Sequence, residues 1–319
     1  MRIAAIAGPS SWVLLALGTA AGETVRDLAL RAVLRHSGWS TLRVIGTSSA
    51  LAALLLVLPV LLAGGPPVQW QAFVAALLLG GSLNALAFWG YGRALALEDL
   101  SLVLPLINLS PLVLLLAGWW VLGEQPSPTA ALGVGLLVLG ALLLGRAGQR
   151  PAGIGLHRLW TSAGCRWMLL VALLWGIGAS VDKLGVRAGG SLLWVMALQA
   201  TIGGTLLGLS LPLAAGAAPP ARSSASSSAW RAAETPGWPG ALSLGLLLAG
   251  FAGAVGTVWQ MQAISQTAVV HVIALKRLST LLGSGAGVLA LGEPEGRRRL
   301  VAAALMLAGA ATVLWGALG

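Results

Sequence analysis

The chain has 319 residues, 57% of them hydrophobic and only 9% charged, with a formal net charge of +10. Soluble domains carry about a quarter charged residues, so this composition excludes a soluble globule and indicates an integral membrane protein in a lipid bilayer. The single cysteine, Cys165, excludes a disulfide framework and any thiolate metal site, and His36, His157 and His271 make no ligand pair, so neither metal nor cofactor is expected.

A helical crossing needs roughly 20 apolar residues, and ten such stretches use nearly the whole length. They are predicted at 11–33, 38–63, 70–96, 101–122, 128–145, 167–188, 191–214, 240–265, 268–290 and 299–318. The runs are continuous, without the alternation of a membrane barrel, so the fold class is all-α. Helix 1 carries Glu23, Arg26 and Asp27 within little more than one turn. This cluster is either a titratable carboxylate that couples transport to a gradient or an internally paired structural group. The same helix, with Arg2 ahead of it, has the look of a signal peptide, but its pattern recurs in helix 6, which argues for a retained span.

Helix 4 holds Pro105, Asn108 and Pro111, which loosen the backbone and leave carbonyls free near mid-membrane. Helix 6 carries Asp182 and Lys183, adjacent and therefore diverging by roughly 100° on the helix. Helix 9 sets Lys276 and Arg277 side by side below His271. Charges at such depth need a polar cavity or a partner. Arg26, Lys183, Lys276 and Arg277 outnumber Glu23, Asp27 and Asp182, and a positive surplus favours an anionic ligand held by the planar arginine fork.

Glycines such as Gly133, Gly140, Gly204, Gly208, Gly283 and Gly287 are expected to serve close helix packing. Tryptophans at segment ends suggest an interfacial belt, and Trp89, Trp175 and Trp259 lie deeper, as cavity-lining residues would. The serine-rich stretch after helix 7 is a flexible linker.

An internal duplication organises the chain. Residues 16–32 align without gaps on 172–188, matching Gly22 with Gly178 and Arg31 with Arg187, and Leu-Gly-Glu at 122–124 matches 291–293. An insertion about as long as the serine-rich linker reconciles the two registers. The reading is therefore a first five-helix repeat at 1–146, a polar connecting loop at 147–166, and a second repeat at 167–319 with a flexible loop at 216–239. Five is odd, so the second repeat enters the membrane inverted, the geometry of alternating access around a midplane site. Arginines crowd the loops after odd-numbered helices, which the positive-inside rule makes cytoplasmic, with both termini outside. Those loop arginines lack interleaved aromatics, so no nucleic-acid partner is expected.

With ten helices, two halves, Trp175-Gly176 in helix 6 and Gly-Glu closing helices 4 and 9, the chain resembles the EamA-type proteins of the drug/metabolite transporter superfamily. Helix 9 is also similar to that of the triose-phosphate translocators, which implies a phosphate-binding role for Lys276 and Arg277 and extends to Lys183. The resemblance implies a secondary transporter, not an enzyme, in the plasma (inner) membrane, working as a monomer or homodimer. The expected small-molecule substrate is polar and anionic, phosphorylated or carboxylate, bound by Lys276, Arg277, Lys183, Asn108 and His271. Glu23, Arg26, Asp27 and Asp182 balance charge or carry the coupling proton. The Glu23 cluster departs from the family pattern and resembles the membrane glutamate of small multidrug-resistance proteins, which keeps open a proton-coupled exporter of cationic drugs or amino acids. The family's cytoplasmic termini also run against the charge count.

Overall fold

The computed structural model describes residues 11–64, 68–97, 104–146, 161–216, 239–282 and 297–318. Ten helices appear among them: α1 (Ser11–Ser37), α2 (Thr41–Leu62), α3 (Trp70–Leu97), α4 (Ser110–Leu122), α5 (Pro128–Arg146), α6 (Ala163–Gly189), α7 (Ser191–Gly216), α8 (Pro239–Gln266), α9 (Val269–Lys276) and α10 (Arg297–Leu318). No strand occurs among the described residues. Six helices are long and apolar enough to cross a bilayer; α1, interrupted by Glu23, Arg26 and Asp27, is not among them. Broad apolar faces, Leu54, Leu61, Leu116, Trp120 and Trp315 among them, point outward, as a bilayer solvent requires.

The halves interleave. α1 packs chiefly on α8 and α3 on α6, while α2 packs on α7 and α5 on α10. Exchanging each helix for its repeat equivalent turns the first pairing into the second and leaves the other two unchanged, as an approximate two-fold relation demands. Equivalent glycines take equivalent places: a Cβ on Gly22 of α1 would lie 3.2 Å from Gly256 Cα of α8, and one on Gly178 of α6 would lie 4.0 Å from the Asn84 amide of α3.

Two helices depart from a single regular span. Residues Leu104–Leu109 form a 3₁₀ segment, and α4 begins at Ser110 with Pro111 in its first turn, where the missing N–H costs nothing. The proline-bearing stretch thus loosens as its sequence implies. α9 stops at Lys276, turns at Arg277 and resumes over 278–282, a break that the apolar pattern of 268–290 does not announce. Residues 283–290 lie outside the described residues, as do Gly283 and Gly287.

Of the described glycines named for close packing, two on α5 do so. A Cβ on Gly133 would meet Val313 Cγ2 at 2.6 Å and Gly309 O at 2.7 Å, and one on Gly140 would meet Met306 Cγ at 2.6 Å. Gly204 and Gly208 face open space on α7, with nothing within 4 Å, so helix contact is not their role. Trp89 and Trp175 lie at the α3–α6 interface, against Trp167 at 4.9 Å and Phe88 at 5.5 Å respectively.

Overpacking a close helix crossing costs about 1–3 kcal/mol, whereas replacing an unhindered helix glycine by alanine gains up to about 1 kcal/mol. Gly133→Ala is therefore expected to lower the thermal midpoint of the detergent-solubilised protein and Gly204→Ala to hold or raise it, as differential scanning fluorimetry would show.

Candidate functional site

Charged side chains meet polar partners in three places around α4, α6 and α9. At the C-terminal end of α9, Lys276 Nζ lies 3.1 Å from Glu23 Oε1 and donates to Gln260 Oε1 at 2.9 Å. The second Glu23 oxygen accepts from Ser279 Oγ at 3.1 Å, and Thr24 of α1 reaches the Ser279 carbonyl. Glycine at 22 and 256 brings α1 and α8 close enough for Glu23 and Gln260 to converge on one ammonium.

Arg277 occupies the break in α9. Its Nη2 donates to Ser110 Oγ of α4, and its Nε is buried with no hydrogen-bond partner among the described residues. One turn on, Thr280 donates to Asn108 Oδ1 at 3.2 Å. The 3₁₀ segment and the first residue of α4 therefore present Asn108 and Ser110 to the matching break in the other half. Helix breaks near mid-membrane are tolerated where backbone faces protein or a cavity, and they bring polar groups to a transport site.

The second cluster sits at the N-terminal end of α9, about 10 Å along its axis from Lys276 at 1.5 Å per residue. Gly123, at φ 69°, terminates α4 in a left-handed turn that carries Glu124 toward the second half. Glu124 Oε1 accepts from Lys183 Nζ at 2.5 Å, and Oε2 accepts from the Val269 backbone N–H at 2.9 Å. Ala268, the residue preceding α9, offers no capping side chain, so a carboxylate 145 positions earlier does that work. Lys183 also donates to the Thr267 carbonyl at 2.7 Å, and Thr267 Oγ1 lies 3.0 Å from His271 Nδ1.

The third place is Asp182, buried on α6, whose Oδ1 accepts from Trp194 Nε1 at 3.2 Å. As the helix angle implies, Asp182 and Lys183 point to different partners.

The grouping of candidate residues thus differs from the sequence expectation. Lys276, Arg277, Asn108 and Glu23 come together, whereas Lys183 and His271 belong to the opposite end of α9 and Asp182 to a separate contact. Within the helix 1 cluster, Glu23 turns to Lys276 across the halves, Arg26 runs beside Gly253 of α8, and Asp27 is exposed. The positive surplus counted among the deep residues also disappears, because Glu124 neutralises Lys183. Glu124 carried a signal in the repeated Leu-Gly-Glu, and Gln260 in its polarity within an apolar run, but neither reveals its partner from the sequence alone.

Two cavities flank the Lys183–Glu124 bridge. One, of about 200 Å³, is lined by Glu124, Gln125, Ser127, Val270 and His271 among others. The other, of about 260 Å³, is lined by Lys183, Val186, Arg187, Ser265, Gln266 and Thr267. No group of three or more metal-binding side chains occurs among the described residues.

Two inverted sets of membrane helices, broken helices 4 and 9 facing each other and polar groups at the breaks define a repeat-built membrane carrier. Residues 10–146 and 162–315 each match the EamA-like transporter family, so the chain belongs to that family and is a multi-pass membrane transporter of the drug/metabolite type. No curated protein matches it. Among 29 matching chains of solved structures, one entitled "Crystal structure of protein" is similar over 97% of this chain and 98% of its own. Its TM-score is 0.71 at 18% identity, a likeness of fold. The likeness of helix 9 to the triose-phosphate translocators finds no support in these matches.

Removing one partner of a buried pair costs about 3–5 kcal/mol, whereas replacing both with neutral groups can be close to neutral. Glu23→Gln is accordingly expected to lower the thermal midpoint, and Glu23→Gln with Lys276→Met to recover most of the loss. A double variant no more stable than the single one would show that the pair contributes nothing.

Proposed function

We propose that the protein is a secondary transporter of a small polar metabolite bearing a carboxylate or phosphoryl group, moved by alternating access of its two halves in the plasma membrane. It would work as a monomer or homodimer, without a resident cofactor. The observation that carries this reading is the donor capacity left on Arg277. Both lysines of the chain already hold carboxylates directly, whereas Arg277, within the field of Glu23 and Asp27, gives Nη2 to a neutral hydroxyl and keeps a buried Nε without a hydrogen-bond partner among the described residues. An unsatisfied buried donor is costly, and a planar fork is matched by the two oxygens of a carboxylate or phosphate. Arg277 is the primary anchor. Lys276 assists when Glu23 or Gln260 releases it, Asn108 and Ser110 supply neutral contacts, and Glu23 offsets one of the site's two positive charges. Lys183 and His271 stand farther along α9, where they line the approach.

A second reading makes Glu23 the centre of a proton-coupled exporter of cationic drugs or amino acids. It is favoured by the direct Glu23–Lys276 contact, because protonating Glu23 would release Lys276 and give proton uptake an immediate structural consequence.

Uptake of radiolabelled inorganic phosphate, succinate and glutamate into proteoliposomes tests the first reading. For the anion that is carried, Arg277→Gln is expected to lower the initial rate at least tenfold, with Arg277→Lys intermediate because it keeps charge but loses the fork. Undiminished uptake by Arg277→Gln would overturn the assignment. Efflux of an organic cation driven by a pH gradient and abolished by Glu23→Gln would establish the second reading.

A further inference from the structure

The bridge between Lys183 and Glu124 lies where a pathway through the molecule would have to close. Connections between successive crossings alternate between the two membrane faces. The α4–α5 connection that holds Glu124, the α6–α7 connection after Lys183, and the α8–α9 connection that holds Thr267 therefore share one face with the start of α1. Contacts made there tie the first half to the second. Glu124 joins α4 to α6 and α9, Ser11 Oγ of α1 donates to Gln266 Oε1 of α8 at 2.6 Å, and the Gln69 N–H before α3 donates to the Ala188 carbonyl of α6 at 2.9 Å.

The charged member of this set differs from the others in having space on both sides. Glu124 lines one cavity and Lys183 the other, and the two linings share no residue. Each partner of the bridge thus has space beside it that is open to the outside. Its acid is carried on the turn after Gly123 rather than on a helix, so the carboxylate can swing without displacing α4. Separating a buried ion pair is prohibitive when each charge is left dry, and far less so when each ion withdraws into its own hydrated cavity. The neighbouring Asp182–Trp194 contact has neither feature: both residues are buried, and neither lines either cavity.

We propose that the Lys183–Glu124 bridge is the gate that closes the transport pathway at the face holding the α4–α5, α6–α7 and α8–α9 connections. When the bridge parts, Glu124 also leaves the first turn of α9 uncapped, so opening at this face acts on the helix that carries Lys276 and Arg277 at its other end. Lys183 and Glu124 are gating residues here, outside the anchor for substrate. The inference rests on the transporter fold and not on the charge of the substrate, so either reading of the cargo can fail without it.

The test needs no substrate. In full-length protein in proteoliposomes, with the buried Cys165 replaced by serine, a reporter cysteine at Val270 lines the first cavity, and a second reporter, used separately at Val313, is buried in the α5–α10 interface. Each is titrated with trimethylammonium-ethyl methanethiosulfonate. Glu124→Gln and Lys183→Gln are expected to raise the labelling rate at 270 at least tenfold and to leave that at 313 within threefold. Unchanged labelling at 270 in both variants would overturn the gate. Acceleration at 270 and 313 together would also overturn it, because the bridge would then be a general staple of the fold.

Discussion

A charge in a bilayer must be met by another charge or by water, and this chain meets the requirement across its two halves. The acids that pair with lysine, Glu23 and Glu124, belong to the first repeat, and the lysines, Lys276 and Lys183, to the second. Each ion pair is thus a strap between the two halves. Neither could form within one half. One strap sits at each end of α9. Apolar contact between helices does not supply this directionality, since lipid tails are as apolar as leucine. The charges therefore determine which relative positions of the halves are stable, and the glycines determine how closely the halves approach.

Small residues and broken helices make the strapping geometrically possible. Gly22 against Gly256 brings α1 and α8 almost into backbone contact, which sets the Glu23 carboxylate within reach of Lys276. The break at Arg277 turns its guanidinium toward α4, where the 3₁₀ segment has displaced Asn108 and Ser110 from a regular helical course. Beyond that turn Ser279 meets Glu23 and Thr280 meets Asn108, so both contacts with the first half lie on the segment that follows it.

The spans and the repeat were legible because they depend on local composition. A run of some 20 apolar residues is a helix in lipid whatever surrounds it, and Gly22 with Gly178 or Glu124 with Glu293 can be matched by eye. The loosening around Asn108 was legible too, from the prolines. Pairings were not. Glu124 finds Lys183 59 residues later and the Val269 N–H 145 later, and nothing in Leu-Gly-Glu says that its carboxylate will cap a helix whose own first residues lack one. Lys183 read as part of one cationic group with Lys276 because sequence depth does not resolve the two ends of a short helix. The break at Arg277 involves neither proline nor glycine at that position, so nothing local in the sequence marks it. Gly204 and Gly208 were misleading for the same reason: spacing identifies a small face but not whether another helix lies on it.

The repeat is symmetric in backbone and asymmetric in charge. The register that superposes helix 1 on helix 6 puts Asp27 at the place of Lys183, and the register that superposes helix 4 on helix 9 puts Glu293 at the place of Glu124. Glu293 lies outside the described residues. The Glu23–Lys276 pair is equally one-sided, because the same registers put Ala179 at the place of Glu23 and Ile107 at the place of Lys276. The duplication that laid down two matching backbones therefore did not duplicate the ion pairs, and each described pair joins the halves at a place whose repeat equivalent carries a different charge pattern.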